Sequence, residues 1–118
     1  MLFPLIGARL HGWLDDLVVA IYVAGALLLP LRGPARAIAL AGAAVHFSLT
    51  RLTAYPHGTF KWIPFRTHAF IELAEGVGVL AATACVFGAT PRGASAFLIA
   101  LGLSQLGAFS FSNYDPAS

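Results

Sequence analysis

Four long apolar stretches constrain this chain more than any other feature. They cover residues 11–30, 35–54, 64–87 and 93–111, and short segments with proline, glycine or arginine separate them. A membrane-crossing helix needs about 20 mostly apolar residues. Each stretch reaches that length, so the sequence predicts an all-α integral membrane protein.

The composition agrees with a chain surrounded by lipid. Of its 118 residues, 58% are hydrophobic and only 10% are charged, whereas a soluble domain carries about 25% charged residues. Short connections favour antiparallel neighbours, and frequent glycine and alanine let helices approach closely in lipid. We expect a single four-helix bundle over residues 1–118, with 1–10 as an interfacial segment and 112–118 as a polar tail.

Two halves of the sequence resemble each other. His11 and Asp15 open the first helix with the same spacing as His68 and Glu72 in the third, and similar Tyr-containing segments close the second and fourth helices. The pattern predicts tandem two-helix repeats over residues 11–56 and 68–116. Because each unit returns the chain to its starting side, the axis relating them should be a pseudo-twofold along the membrane normal.

This topology places both termini on one side of the membrane. Four basic residues belong to that side and three to the other; they are Arg9, Arg51, Lys61 and Arg66 against Arg32, Arg36 and Arg92. The excess of basic residues favours a cytoplasmic side for the termini. The formal net charge is only +2 and there is no basic run, which argues against nucleic acid as a partner.

Polar residues concentrate toward one end of the predicted bundle. The candidate site residues are His11, His46 and His68 as metal ligands, with Asp15, Arg51, Glu72, Glu75 and Gln105 as ligand-binding or proton-handling groups. Ionisable residues inside a membrane are costly and suggest function by default. Since the other half of each helix is apolar, we expect a polar vestibule closed at its far end rather than a pore.

The spacing of these residues specifies shared helix faces. His11 and Asp15 lie one helical turn apart, and His68, Glu72 and Glu75 form a second stripe. Facing stripes would suit a metal ion such as Fe, Mn or Zn, a proton relay, or a haem held by two imidazoles. The structural alternative is that each histidine satisfies a carboxylate and only stabilises the bundle.

Three further expectations concern the surroundings of this site. Arg51 is expected to neutralise Glu75, and Asp16 to point away from the His11 stripe. The aromatic residues of the middle loop, Tyr55, Phe60, Trp62 and Phe65, favour an interfacial aromatic belt, with a lid over the polar site as the alternative. We expect His57 to be exposed and not to be a ligand.

The order of these motifs resembles the SPW-repeat family of small bacterial and archaeal membrane proteins. The matching residues are His11-Gly-x-Leu-Asp15, Leu52-Thr53-x-Tyr55, Ile63-Pro64 and His68-x-x-x-Glu72. The resemblance implies four transmembrane helices in two repeats, in a prokaryotic inner membrane, and implies no activity. The Ser-Pro-Trp signature of the family is replaced here by Leu29-Pro30-Leu31 and Val86-Phe87-Gly88.

Three functions are compatible with these features. The first is a one-sided intramembrane His/carboxylate site for a metal, haem or other small ligand. The second is an oligomeric proton-coupled or small-solute transporter, and the third is an accessory subunit of a larger membrane complex. An enzyme is less favoured, because the sequence contains no glycine-rich phosphate loop, serine elbow, HExxH or CxxC motif.

Overall fold

Four long α-helices dominate the fold. The computed structural model describes residues 2–118, in which the helices are α1 Ala8–Leu28, α2 Gly33–Leu52, α3 Phe65–Cys85 and α4 Arg92–Phe111. Two short strands, β1 Thr53–Ala54 and β2 Ile63–Pro64, pair in parallel, and a 3-10 turn at Phe87–Ala89 follows α3. The all-α prediction is confirmed, and the packing is compatible with a four-helix bundle.

Three of the helices are long and apolar enough to cross a membrane. These are α1, α3 and α4, each of 20 or 21 residues. Helix α2 has 20 residues but is less apolar, since it also carries His46, Thr50 and Arg51. The first two of these side chains are fully buried, so part of the polarity of α2 points into the protein, while Arg51 is partly exposed.

The helix ends differ from the predicted ones by a few residues for local reasons. Helix α1 ends at Leu28, because the backbone of Leu29 is already extended before Pro30. Helix α2 ends at Leu52, because Thr53 pairs with Ile63 in the two-stranded sheet. Pro64 also has an extended backbone and belongs to β2, so α3 begins one residue later than predicted.

The helices pack as two antiparallel pairs. In the α1–α2 pair the ring of Tyr22 lies against Gly42, where a Cβ atom would come within 2.8 Å of the ring. In the α3–α4 pair Gly76 faces the backbone of Gly102, and a Cβ on Gly76 would lie 3.0 Å from that carbonyl oxygen. Close approach at small residues therefore sets the spacing of both pairs.

The first residues of the C-terminal segment are part of the packed structure, so the prediction of a polar tail over 112–118 is wrong for them, while residues 115–118 are exposed. Ser112 and Tyr114 are buried, with 1% and 5% of their surfaces exposed. The backbone N–H of Asn113 donates to the carbonyl of Ile6 at 2.8 Å, and the hydroxyl of Ser118 accepts from the backbone N–H of Ala8 at 2.9 Å. These bonds use backbone groups that a free tail would expose to water.

The N-terminal segment also differs from the prediction. Residues 8–10 are the first turn of α1, and Ile6 forms a parallel bridge with Ser112. The amide of Leu5 donates to the carbonyl of Phe111 at 2.9 Å. The segment before α1 therefore joins the end of α4, just as β2 before α3 joins β1 after α2.

Two buried apolar clusters lie on either side of the polar residues. The larger one, toward the α1–α2 and α3–α4 turns, includes Tyr22, Ala26 and Leu98. The smaller one, at the other end, is built from Ala8, Tyr55, Phe65, Ala69 and Tyr114. The side chains between these clusters are consequently shielded from solvent at both ends.

Candidate metal centre

A compact group of four buried side chains forms the centre of the molecule. It consists of His11 and Asp15 from α1 and His68 and Glu72 from α3, and is called the four-residue cluster below. One ligand atom from each residue lies within 4.8 Å of every other. None of the four is more than 2% exposed, so the two helical stripes identified in the sequence do face each other.

The distances between the ligand atoms are short and similar. The two imidazole Nε2 atoms, of His11 and His68, lie 3.2 Å apart. From His11 Nε2 the carboxylate oxygens of Asp15 and Glu72 lie at 3.3 and 3.5 Å. From His68 Nε2 the same two carboxylates lie at 3.5 and 3.9 Å. All four side chains thus point at a common centre.

The hydrogen bonds of Thr53 determine the tautomer of His68. The Thr53 hydroxyl donates its single proton to the carbonyl of Leu49 at 2.6 Å. It therefore accepts from Nδ1 of His68, which lies 2.8 Å away. Because neutral imidazole carries one N–H, Nε2 of His68 presents a free lone pair to the centre of the cluster.

Ser112 occupies the corresponding position beside His11. Its hydroxyl lies 2.7 Å from Nδ1 of His11. Since His68 Nε2 is an acceptor, the 3.2 Å contact between the two Nε2 atoms requires His11 Nε2 to donate, and Nδ1 of His11 then accepts from Ser112. Rotation of that hydroxyl would let His11 move its proton to Nδ1, which frees the second lone pair.

Two tyrosines orient the carboxylates. The hydroxyl of Tyr55 donates to Asp15 Oδ2 at 2.6 Å, and that of Tyr114 donates to Glu72 Oε2 at 3.0 Å. Burial, followed by the nearby carboxylate charge, raises the pKa of both phenols above their usual range. Both hydroxyls therefore stay protonated and act as permanent donors.

Aromatic rings cover the cluster on the side of the middle loop. Phe65 lies edge-on to both imidazoles, with centroids 5.3 Å from His11 and 5.6 Å from His68. Tyr55 is only 2% exposed and Phe65 only 1% exposed, so the prediction that these two residues belong to an interfacial belt is wrong. Their rings pack on the histidines, as the lid alternative required. Phe60 and Trp62 are exposed, which is compatible with a belt.

His46 connects the cluster to a deeper acid. Its Nε2 lies 3.3 Å from Asp15 Oδ1, and its Nδ1 lies 2.8 Å from Glu75 Oε2. The amide of Gln105 lies 3.2 Å from Nδ1, and its oxygen accepts from Tyr22 at 3.4 Å. The structure thus brings His46, Glu75 and Gln105 next to the four-residue cluster as a neighbouring layer.

The expected pairing of Arg51 with Glu75 is wrong. Arg51 instead donates to Asp16 Oδ1 at 2.7 Å, and both side chains are partly exposed. Asp16 lies one position after Asp15, so it turns out of the cluster by about 100° toward the end of α2. His46 already occupies the place beside Glu75 that the prediction gave to Arg51.

His57 is not exposed, contrary to expectation, and it lies outside the four-residue cluster. Its side chain is half-buried and packs directly against Gly12. The centroid of its ring lies 4.9 Å from that of Trp13. The absent side chain of Gly12 leaves the space that this imidazole fills.

The sequence reading missed the roles of four residues. Thr53 and Tyr55 follow α2, and Ser112 and Tyr114 follow α4; all four contact the cluster. The signal was present in the two helix-closing segments, each a hydroxyl residue followed two positions later by tyrosine.

Comparison of the chain with protein-family models, curated proteins and solved structures gave no match, so membership of the SPW-repeat family stays a prediction.

Proposed function

We propose that the four-residue cluster binds one divalent transition-metal ion, with Zn²⁺ fitting the geometry best. The observation that carries this proposal is the lone pair of His68 Nε2, which Thr53 directs at a centre surrounded by three other ligand atoms. In known zinc sites, histidine most often ligates with one nitrogen while the other donates to a neighbouring group. The Thr53 contact supplies that second bond.

The distances favour four-coordinate geometry. Bonds of about 2.0–2.2 Å to a tetrahedral ion place neighbouring ligand atoms about 3.3–3.5 Å apart. The separations around His11 Nε2 are 3.2, 3.3 and 3.5 Å. The contact of 3.9 Å between His68 and Glu72 must shorten, and a single oxygen of Asp15 must serve both imidazoles, since His11 meets Oδ1 and His68 meets Oδ2. Small side-chain movements would complete the site.

Charge supports an ion of this valence. Two carboxylates buried in an apolar setting are strongly unfavourable unless paired. The neutral imidazoles of His11 and His68 cannot balance the formal charges of Asp15 and Glu72. A divalent cation would balance both, whereas His46, 3.3 Å from Asp15, is placed to pair with only one of them. The mixed nitrogen and oxygen ligands also fit Fe²⁺ or Mn²⁺, so the metal analysis below includes both.

A haem is less compatible with the same residues. Bis-histidine ligation requires the iron and the porphyrin plane to lie between the two imidazoles. The Nε2 atoms of His11 and His68 are only 3.2 Å apart, and Phe65 packs against both rings. The geometry therefore favours a bare ion over the haem alternative.

We also propose that the protein is embedded in a bilayer with the metal site in one leaflet. Three helices meet the requirement for crossing, and α2 pairs with α1 along a similar length, which favours four crossings. The tandem repeat is supported by equivalent contacts. His11 and His68 differ by 57 positions, and His46 and Gln105 by 59. The pairing of Ile6 with Ser112 matches that of Ile63 with Thr53 at the same two offsets.

Metal analysis of the purified protein tests the proposed function. We expect about one ion per chain in detergent, and a Co²⁺-substituted protein should show the visible absorption of a tetrahedral site. The double variant with His11→Ala and His68→Ala should lose both signals. His57→Ala is the matched control, because that histidine lies outside the cluster. Wild-type protein that binds no Zn²⁺, Fe²⁺ or Mn²⁺ after reconstitution would contradict the proposal.

The same measurement separates the alternatives. Transport by a proton relay and a purely accessory role both predict that the polar residues act without a stoichiometric ion. If an ion binds, affinity should fall as the pH is lowered, because protons compete with the ion for the imidazole lone pairs and for the two carboxylates. A titration at several pH values checks this sign.

A further inference from the structure

A deep crevice separates α1 from α4 beside the metal centre. Its volume is about 440 Å³, within the usual range of about 300–1,000 Å³ for small-molecule sites. The walls are apolar and include Leu14, Val18, Ile21, Phe97 and Leu101. The inner wall is polar, formed by the buried side chains of Asp15, Glu72 and Gln105.

The length of the crevice matches one leaflet of a bilayer. Its α4 wall extends from Phe97 to Ala108, which spans about 16 Å at 1.5 Å per residue. Half of a hydrocarbon core is about 15 Å. At the apolar end the ring of Phe97 packs directly on Gly25. The crevice is therefore open along its side and closed at the end far from the polar groups.

The corresponding crevice between α2 and α3 is different. The two halves of the chain are related by offsets of 57 and 59 positions. In this crevice Ile63 is therefore the equivalent of Ile6, and Leu49 is the equivalent of Ala108. That crevice has a volume of about 380 Å³, and no residue of the four-residue cluster lines it. Leu49 is buried, with 3% exposed. A buried leucine therefore stands in the α2–α3 interface at the position that alanine occupies in the α1–α4 interface, and the polar cluster lines only the latter crevice.

We propose that the α1–α4 crevice binds a neutral, single-chain lipid alcohol that enters sideways from the bilayer. The apolar walls would hold the chain, and the inner wall would receive the hydroxyl. Glu72 contacts Tyr114 and both imidazoles through Oε2, so Oε1 is the oxygen not used in those contacts. A hydroxyl can donate to that oxygen and accept from the Gln105 amide, whose protons His46 Nδ1 does not accept because that atom donates to Glu75.

Charge and size exclude other occupants. In protein without the proposed ion, a fatty-acid carboxylate would meet Asp15 and Glu72 as like charges in a medium of low dielectric constant. A helix from a second copy, about 10 Å wide and 16 Å long, occupies roughly 1,250 Å³. That is far more than the crevice can enclose, so a second helix could only cover its mouth, whereas a single hydrocarbon chain fits inside. The proposal stands without the metal, although Asp15 and Glu72 border both sites.

Photolabelling of the purified protein, treated with a chelator so that no ion neutralises Asp15 and Glu72, tests this inference. The probe is hexadecanol carrying a diazirine, with the corresponding hexadecanoic acid as its matched control, and tandem mass spectrometry locates the label. We expect the alcohol to label the crevice walls, to be displaced by unlabelled hexadecanol, and to label them more than the acid does. Ala108→Leu should weaken labelling about tenfold, since it displaces one or two methylene groups of the chain.

Two comparisons make the test decisive. Ala44→Leu makes the same substitution in the α2–α3 crevice and should leave labelling unchanged, while Ala108→Leu should keep the wild-type metal content. If Ala108→Leu does not fold, Ala100→Phe narrows the same crevice from a position about two helical turns earlier on the same α4 wall. Equal labelling of both crevices, equal labelling by alcohol and acid, or cross-links between two copies along α1 and α4 would overturn the proposal. None of these outcomes bears on the metal.

Discussion

The two arms of the cluster reach the same geometry with different residues. The first arm contains His11, Asp15 and Tyr55, and the second contains His68, Glu72 and Tyr114. In each, a tyrosine that follows the next helix donates to the acid, at 2.6 Å in one and 3.0 Å in the other. The same contacts form with aspartate in the first arm and glutamate in the second. The two arms therefore share the positions of their ligand atoms although the acidic side chains differ in length.

The surroundings of the two arms are much less alike. Beside the first arm stands His46, which bridges Asp15 to Glu75. The corresponding position of the second half is Gln105, which contacts His46 rather than a second acid. The comparison teaches that the ligand atoms are nearly symmetric while the layer behind them is not. Function that needs asymmetry, such as access or proton movement, must come from that layer.

Removing one imidazole should produce the largest effect and tests the equivalence of the arms. We expect His11→Ala and His68→Ala each to weaken Zn²⁺ binding by at least about a hundredfold. Each variant removes one of four ligands from a site whose binding free energy is about 10–16 kcal/mol. Competition with a chromogenic chelator measures the affinity, with His57→Ala as control. If only one variant loses affinity, the arms are not equivalent and the metal is held from one side.

Removing the phenol hydroxyls should have a smaller effect and probes the second layer. Tyr55→Phe and Tyr114→Phe each keep the ring but leave one carboxylate less well oriented. Loss of such outer contacts costs about 10–100-fold in metal affinity. The shorter bond of Tyr55 predicts that its variant loses more. Equal affinities in wild type and both variants would show that the tyrosines only fill space.

The sequence predicted the helical fold and the facing stripes because both depend on periodicity. A turn of helix places His11 above Asp15 and His68 above Glu72 wherever the helices occur. It did not predict the tyrosines, since Tyr55 lies in a loop where periodicity carries no information and aromatic residues suggest an interface. The sequence also did not predict the partner of Arg51, because the rotation of each helix about its own axis decides whether Asp16 or Glu75 lies beside it.

The two helix pairs offer a third comparison, and here the expected effect of a substitution is of intermediate size. Gly42→Val in the α1–α2 pair places atoms against Tyr22, and Gly76→Val in the α3–α4 pair places them against the Gly102 backbone. We expect each to lower the free energy of unfolding by about 1–3 kcal/mol, and Gly76 to cost more because backbone yields less than a side chain. Thermal unfolding in detergent measures this. Gly78→Val, which meets open space, is the control and should change little.

The pair of Arg51 and Asp16 should have the smallest effect. Its side chains are 29% and 38% exposed, and pairs of this kind contribute about 0–1 kcal/mol. Asp16→Asn should therefore shift the free energy of unfolding by less than about 0.5 kcal/mol and leave metal binding intact. Glu75→Gln is the informative contrast, because it replaces the acid that His46 contacts at 2.8 Å. If Asp16→Asn proves the more damaging of the two, Arg51 supports the first arm from outside, and the asymmetry between the arms begins at the surface rather than at His46.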